Sequence, residues 1–448
     1  MKSTQPLSPL LTDLYELTMA AAYFDRRMDQ PATFSLFLRH NPRRGYFVAA
    51  GLALALELLA SFRFEKDDIA YLRKTDLFKE SFLNYLRDLR FQGDVWAMPE
   101  GTLFFPAEPI LEVTAPLIQA QILETLLINI IGVHTLIASK AARCVDAAQG
   151  RPLIEFGLRR THGDAAGMAA ARSTYLVGFD ATSNVMAGKH FDIPLAGTMA
   201  HSFVQTFRSE SEAFMAYTQS FPERSILLID TYDTIQGAHR AIQVAKKMRA
   251  SGRQLIGVRL DSGDLVSLSR EVRRLFDDAG FEELKIFASG NLDEYRVAEA
   301  LAKGAAIDSF GVGTKIGVSA DAPYLDMVYK LVQYADRPVC KLSAGKKTLA
   351  GRKQIFRRLD RHKRYKCDII GLRDEKIPNA KPLLSQVVKQ GRVVTTTGDL
   401  PSCRRHFQAE FARLPAAYKA LHEPARYSVE VSPNLQKIQP EVDGGSFK

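Results

Sequence analysis

Apolar, β-prone runs recur through the middle of the chain at Pro152–Phe156, Phe179–Ala181, Ile193–Ala196, Ile226–Ile229, Gln254–Leu260, Leu284–Ala288, Ile307–Gly311 and Val328–Val332. Each is short and bounded by turn-forming residues, the pattern of a buried strand. Between several of them the apolar positions change to helical spacing. Ala238–Ala250, Leu265–Ala279 and Asp293–Lys303 carry that spacing and are followed by Gly252, Gly280 and Gly304, the residue type that most readily ends a helix. Strands alternating with helices build parallel βαβ units, and about eight such units close a barrel of the TIM type. The stretch from Phe179 to Ile193 is too short for a full crossover helix, so the pattern predicts an irregular TIM-like α/β barrel.

The flanks lack this rhythm. Residues 1–130 read as a helix at Asp13–Phe24, a strand at Thr33–Leu38, an amphipathic helical region at Asp67–Leu89 and short Gly- and Pro-punctuated strands within Val95–Val113. Residues 340–448 are turn-rich and β-like. The expectation is one α+β domain built from both flanks, 1–130 and 340–448, beside a barrel of residues 131–339 that carries the chemistry.

Composition narrows the class. An apolar fraction of 46% with 25% charged residues is that of a globular chain and excludes a disordered or fibrous one. The four cysteines form no C-x-x-C pair, so neither a zinc knuckle nor a disulfide framework is expected. Met1–Leu10 lacks the apolar core of a signal peptide. Val48–Ala60 and Gln121–Leu136 read as too short or too interrupted to cross a bilayer. The expectation is a cytoplasmic protein. The net charge of +10 suits nucleic acid, an anionic membrane or small polyanions. It is concentrated: Lys341–Lys366 holds eleven Lys or Arg against the single acid Asp360, which accounts for the whole excess.

Polar clusters close nearly every strand run, where the sites of parallel barrels lie. His201, in Gly197-Thr198-Met199-Ala200-His201-Ser202, sits at a predicted helix start, where it is either a nucleophile or general acid–base, or an incidental residue of a capping loop. Ser289-Gly290-Asn291 and Gly311-Val312-Gly313-Thr314 end late strands, where backbone amides commonly receive phosphate; ordinary tight turns are the alternative. Asp230 and Asp233 end one strand, Asp261 and Asp264 the next. Such acids bind Mg²⁺ or ribose hydroxyls, or cap helices, and Asp261 is the better functional candidate. Arg159, Arg160 and Arg259 lie at strand ends, where planar guanidinium groups suit carboxylates and phosphates.

Taken in order, Leu11-Thr12-Asp13-Leu14-Tyr15-Glu16-Leu17-Thr18-Met19, Glu155-Phe156-Gly157-Leu158-Arg159-Arg160, the Gly197–Ser202 motif, Arg259-Leu260-Asp261-Ser262-Gly263-Asp264, Ser289-Gly290-Asn291 and Gly311–Thr314 closely resemble nicotinate phosphoribosyltransferase, a type II phosphoribosyltransferase. The resemblance implies that nicotinate and phosphoribosyl pyrophosphate (PRPP) give nicotinate mononucleotide and pyrophosphate, with ATP hydrolysis coupled through a phosphohistidine. It implies His201 as the phosphoacceptor and Tyr15 as the partner of the nicotinate ring. Thr198 and Arg259 would bind nicotinate, with Arg259 on its carboxylate, and Arg159 or Arg160 would contact nicotinate or sugar phosphates. Ser289, Gly290, Asn291, Gly311, Gly313 and Thr314 would hold the 5′-phosphate. Asp261, with Asp230, would sit by the ribose hydroxyls and Mg²⁺. It further implies a head-to-tail homodimer with shared active sites. Two other readings are a transferase for nicotinamide or another pyridine, and a non-catalytic sugar-phosphate-binding barrel.

PRPP and ATP are polyanions, so Lys341–Lys366 is expected near the site, steering or holding polyphosphate. Otherwise it is a solvated hairpin, since Leu349, Ile355, Phe356, Leu359 and Tyr365 read as too few to make a core. Only Phe356 and Tyr365 are placed for base stacking, so no nucleic-acid partner is expected, and no membrane.

Overall fold

The computed structural model describes residues 8–39, 41, 43–341, 348–395 and 398–439. The chain divides into two compact units, Met1–Ala138 with Tyr324–Lys448, and Ser139–Pro323. The first unit takes residues from both flanks and divides from the second at 138/139 and 323/324, where the sequence reading placed 130/131 and 339/340.

In the first unit a seven-stranded sheet runs in the order Arg337–Pro338, Met327–Tyr334, Pro31–Leu38, Pro109–Pro116, Asp94–Ala97, Ser385–Lys389, Arg392–Val393, with every neighbour antiparallel. Its inner strand Pro31–Leu38 is buried at every position after the first. Phe34 lies opposite Val113 and Leu331 and stacks on Tyr329 with ring centroids 4.9 Å apart. Beside it a four-stranded sheet takes Ala380–Pro382, Lys353–Leu359, Tyr365–Leu372 and Val429–Val431.

That second sheet revises the reading of the basic segment. Ile355, Phe356 and Tyr365 are buried in the fold, so the hairpin is half core rather than solvated. Lys353 is buried against Glu112, and Arg357 is buried against Asp368 and Glu410. These two cations are consumed internally and cannot hold a ligand, so any steering falls to exposed cations such as Arg361 and Lys363. Lys346 and Lys347 lie outside the described residues.

The second unit is built on a parallel sheet of six strands, ordered Ala181–Thr182, Leu153–Glu155, Ser309–Val312, Lys285–Ala288, Gly257–Leu260, Ile226–Leu228. Six of the eight predicted runs thus form strands of a half-barrel. Ile193–Ala196 contributes a single bridge, Thr182 to Leu195, after a helix of only 7 residues, Val185–Phe191. The run Val328–Val332 belongs to the first unit's antiparallel sheet instead, and the expected last barrel strand is corrected accordingly. Met327, Val328, Tyr329 and Val332 are buried there while Lys330, Leu331, Gln333 and Tyr334 are half-buried, so the strand is covered most fully at its start.

The helices between the strands are set by their ends. Asp233, Asp264 and Asp293 each accept a hydrogen bond from a backbone amide in the next helical turn, which fixes Asp233 and Asp264 as caps rather than ligands. Helix Leu265–Asp278 closes on Gly280, at φ +76°, with Phe281 N–H donating to Phe276 O and Gly280 N–H to Asp277 O, a Schellman stop. The helical stretch Leu117–Ala147, of 31 residues, contains an 18-residue window of mean hydropathy 1.7 and is by length and composition able to cross a membrane. The reading of Gln121–Leu136 as too short or too interrupted is corrected to that extent. Its apolarity is that of a core helix: Leu126, Leu127, Ala141 and Ala142 are fully buried.

Candidate active site

The carboxyl ends of the parallel strands bring six of the predicted residues into one network. Strand Gly257–Leu260 delivers Arg259 and, one residue past its end, Asp261. Arg259 Nη1 donates to the Thr198 hydroxyl and, at 3.1 Å, to the Met199 carbonyl, while Nη2 lies 3.5 Å from Asp261 Oδ1. Burial lowers the Arg259 pKa, and the charges of Asp261 and Asp230 oppose that shift. Arg259 Nε is buried without a partner, so part of the guanidinium is held ready for an acceptor.

Asp261 is the hub. Its Oδ1 accepts from the Ser289 hydroxyl and its Oδ2 lies 3.9 Å from His201 Nε2. Asp230, at the end of the neighbouring strand, braces the same turn, since its Oδ2 accepts from Asp261 N–H at 3.0 Å and from the Ser262 hydroxyl at 2.6 Å. Asp230 Oδ1 is buried with no partner. His201 opens the short helix His201–Gln205, and its Nδ1 is 3.1 Å from Thr231 Oγ1. Thr231 was not singled out from sequence. The available signal was its place directly after Asp230 in a polar cluster at a strand end.

The two candidate phosphate loops lie after adjacent strands, Ala288 pairing with Phe310. Gly290 has φ +95°, and a methyl group there would be driven into the Asp261 carbonyl. Gly290→Ala is expected to strain this turn by roughly 1–3 kcal/mol, and a lowered denaturant midpoint reads it. Gly311 packs against the Phe156 and Phe287 rings, so its small size serves packing first. Gly313 lies against the Phe156 carbonyl, and Thr314 starts the turn Thr314–Gly317. Asn291 is exposed in the left-handed region at φ 53°.

Arg159 and Arg160 are exposed on the turn Leu158–Arg160, and of the two it is Arg159 whose charge acts on Arg259. That turn is anchored by buried Glu155, which accepts from Gly157 N–H and, at 2.6 Å, from the Thr182 hydroxyl. In the first unit, Tyr15 is 47% exposed on helix Leu14–Asp25. Burial of the phenol and the nearby Glu124, Glu16 and Asp13 push its pKa up to about 12.

Three family models match: the nicotinate phosphoribosyltransferase (NAPRTase) N-terminal domain over residues 10–132, the nicotinate phosphoribosyltransferase (NAPRTase) family over 152–366, and the nicotinate phosphoribosyltransferase C-terminal domain over 378–439. The chain is similar to nicotinate phosphoribosyltransferase pncB2 of Mycobacterium tuberculosis, at 45% identity over 97% of this chain and 94% of the relative. It is also similar to the nicotinate phosphoribosyltransferase of Bacillus subtilis, at 38% identity over 94% and 92%. Its fold matches the crystal structure of human nicotinic acid phosphoribosyltransferase with a TM-score of 0.87, at 31% identity over 95% of this chain and 99% of that one.

Proposed function

The chain belongs to the nicotinate phosphoribosyltransferase family, whose reaction joins nicotinate to the phosphoribosyl group of PRPP in NAD biosynthesis, and we propose that here the transfer is coupled to ATP hydrolysis through His201. The observation that carries this is the placement of the imidazole. Thr231 engages Nδ1, while Nε2, on a ring 39% exposed, faces the Asp261 side of the site. With Nδ1–H donating to Thr231 Oγ1, the Nε2 lone pair is the nucleophile. It attacks the γ-phosphorus of ATP, an N–P bond forms, the bond to the bridging oxygen breaks and ADP leaves. Water later cleaves the N–P bond and releases phosphate.

In the transfer itself the pyridine nitrogen bonds to C1 of the ribose as pyrophosphate departs. Charge develops on an oxocarbenium-like ribose, so positioning and electrostatics dominate. Arg259 receives the nicotinate carboxylate with Thr198 beside it, and a neutral amide would forgo that charge-assisted pair, which favours nicotinate over nicotinamide. Arg159 adds positive charge at the same mouth. Ser289, Gly290, Asn291, Gly313 and Thr314 receive the 5′-phosphate. Tyr15 serves the nicotinate ring in a cytoplasmic homodimer with shared active sites.

Mg²⁺ fits the acids present. Asp230 Oδ1 is a buried oxygen with no partner, and Asp261 lies one hydrogen bond away. Among the described residues no group of three or more His, Cys, Asp or Glu forms a metal cage. Two carboxylates plus substrate oxygens are the donor set this ion favours. Asp230 and Asp261 would hold it, and when bound it neutralises charge on the leaving pyrophosphate.

Incubation with γ-labelled ATP is expected to leave an acid-labile phosphoryl label that His201→Ala lacks. The variant should keep basal nicotinate mononucleotide formation while ATP no longer accelerates it. A label that survives the substitution sinks the assignment.

A further inference from the structure

One carboxylate links the helix after one phosphate loop to the turn after the other. Asp293 Oδ1 accepts from Arg296 N–H at 2.9 Å and so caps helix Glu294–Ala302, which comes after Ser289–Asn291. Its Oδ2 accepts from Lys315 Nζ at 2.7 Å. Lys315 is the residue after Thr314, in the turn at the end of Gly311–Thr314. The Asp293 side chain is 10% exposed and that of Lys315 26%, so the pair is shielded from solvent screening. Burial raises the Asp293 carboxyl, but the Lys315 ammonium and the Arg296 amide outweigh it and hold the group below the usual carboxylate range.

The neighbouring residue anchors the pair. Glu294 is fully buried and accepts from Lys140 Nζ at 2.8 Å and Arg143 Nε at 3.1 Å. Lys140 Nζ also donates to Asp321 Oδ1 at 2.8 Å, just beyond the turn Thr314–Gly317. Three acids thus meet three cations in a charge-balanced cluster. Apolar residues of similar volume commonly match or exceed the stability of such a cluster. What the cluster does provide is fixed geometry: the helix after one loop and the turn after the other cannot separate without breaking buried ion pairs.

We propose that Asp293 and Lys315 are positioning residues for the 5′-phosphate of PRPP, their ion pair setting the separation of the two loops that receive it. The inference rests on the reading that Ser289–Asn291 and Gly311–Thr314 bind phosphate. Neither residue needs to touch the ligand. A loop displaced by a fraction of an ångström loses part of its hydrogen bonding to the anion.

Asp293→Asn keeps an oxygen for the Arg296 amide and removes the charge that faces Lys315. It should raise KM for PRPP about tenfold, as expected for one lost charge-assisted hydrogen bond. KM for nicotinate and kcat should stay within about twofold. Lys315→Met should give the same split, Lys315→Arg should restore most of the affinity, and the double variant Asp293→Asn/Lys315→Met should be no worse than either single one. A pair that is only structural lowers the thermal midpoint and leaves both KM values unchanged or raises them together; either result overturns the inference. Should Asp293→Asn fail to fold, Lys315→Met, on the more exposed side chain, carries the same measurement. Thr314→Ala separates the two readings. If it raises KM for PRPP while Asp293→Asn and Lys315→Met do not, the loops bind phosphate and the ion pair does not position them. If Thr314→Ala leaves KM for PRPP unchanged, the phosphate reading falls and this inference with it.

Discussion

Asp261→Asn is expected to lower kcat by about 10³-fold with little change in the thermal midpoint. The substitution preserves shape and removes one negative charge from a point where three groups converge. The Ser289 hydroxyl donates to Oδ1, Arg259 Nη2 stands 3.5 Å from the same oxygen, and His201 Nε2 lies 3.9 Å from Oδ2. An amide can still accept from Ser289, so the turn persists. It cannot oppose the charge of Arg259 or, on the proposed function, share Mg²⁺ with Asp230 or stabilise positive charge on the ribose. These are transition-state terms, so kcat should fall far more than KM for nicotinate rises. Steady-state kinetics with a thermal melt of the same preparation decide it. Activity within about tenfold of the parent would reduce Asp261 to a brace for its loop.

The parallel strands were legible because they are buried on both faces. Runs such as Leu227–Ile229 and Ile286–Ala288 are apolar and buried, and the site begins at the polar residue just past each one. Asp230 and Ser289, and Asp261 after Leu260, could be named for that reason. Periodicity does not say which sheet a strand joins. Val328–Val332 has the right pattern for a barrel strand, but its partner is Pro31–Leu38, almost three hundred residues earlier. Roles that depend on contacts distant along the chain were equally hidden. Thr231 orients a residue 30 positions away, and Lys140 pairs with one 154 positions away from within a helix that otherwise reads as apolar. Net charge misled for the same reason. A count of Lys and Arg cannot see that Arg357 has a buried acid 11 residues further on.

Arg357→Met is accordingly expected to destabilise the protein by about 3–5 kcal/mol, as for a buried ion pair that loses one partner. The guanidinium is 3% exposed. Its Nε and Nη2 meet both oxygens of Asp368, at 2.9 and 2.5 Å, and Nη2 also donates to the Leu103 carbonyl at 2.8 Å. Its carbon lies 4.0 Å from the centre of the Tyr365 ring. Methionine fills much of the volume but takes the Arg357 charge away from Asp368 and Glu410, and Glu410 keeps only its contact with Arg413 at 3.1 Å among the ion pairs described. The pH dependence gives the test its sign. In the parent, burial raises the Glu410 carboxyl, but the Tyr365 hydroxyl and Arg357 outweigh it and hold Glu410 below the usual carboxylate range. That contribution is complete above an ordinary carboxylate pKa of about 4.3 and is lost as pH falls through the folded value. Glu108 already runs the other way, pushed up by burial and by Asp368 against the pull of Arg357. In the variant both groups lose the pull of Arg357 and bind protons more readily when folded, so acid favours the variant relative to the parent. The deficit in denaturant midpoint should be largest near neutral pH and narrow towards about pH 5. Arg361→Glu, on an exposed side chain of the same segment, should stay within about 0.5 kcal/mol at every pH. Equal and pH-independent effects of the two substitutions would mean that Arg357 is not held as a buried ion, and the whole basic segment would again be free to act on polyphosphate.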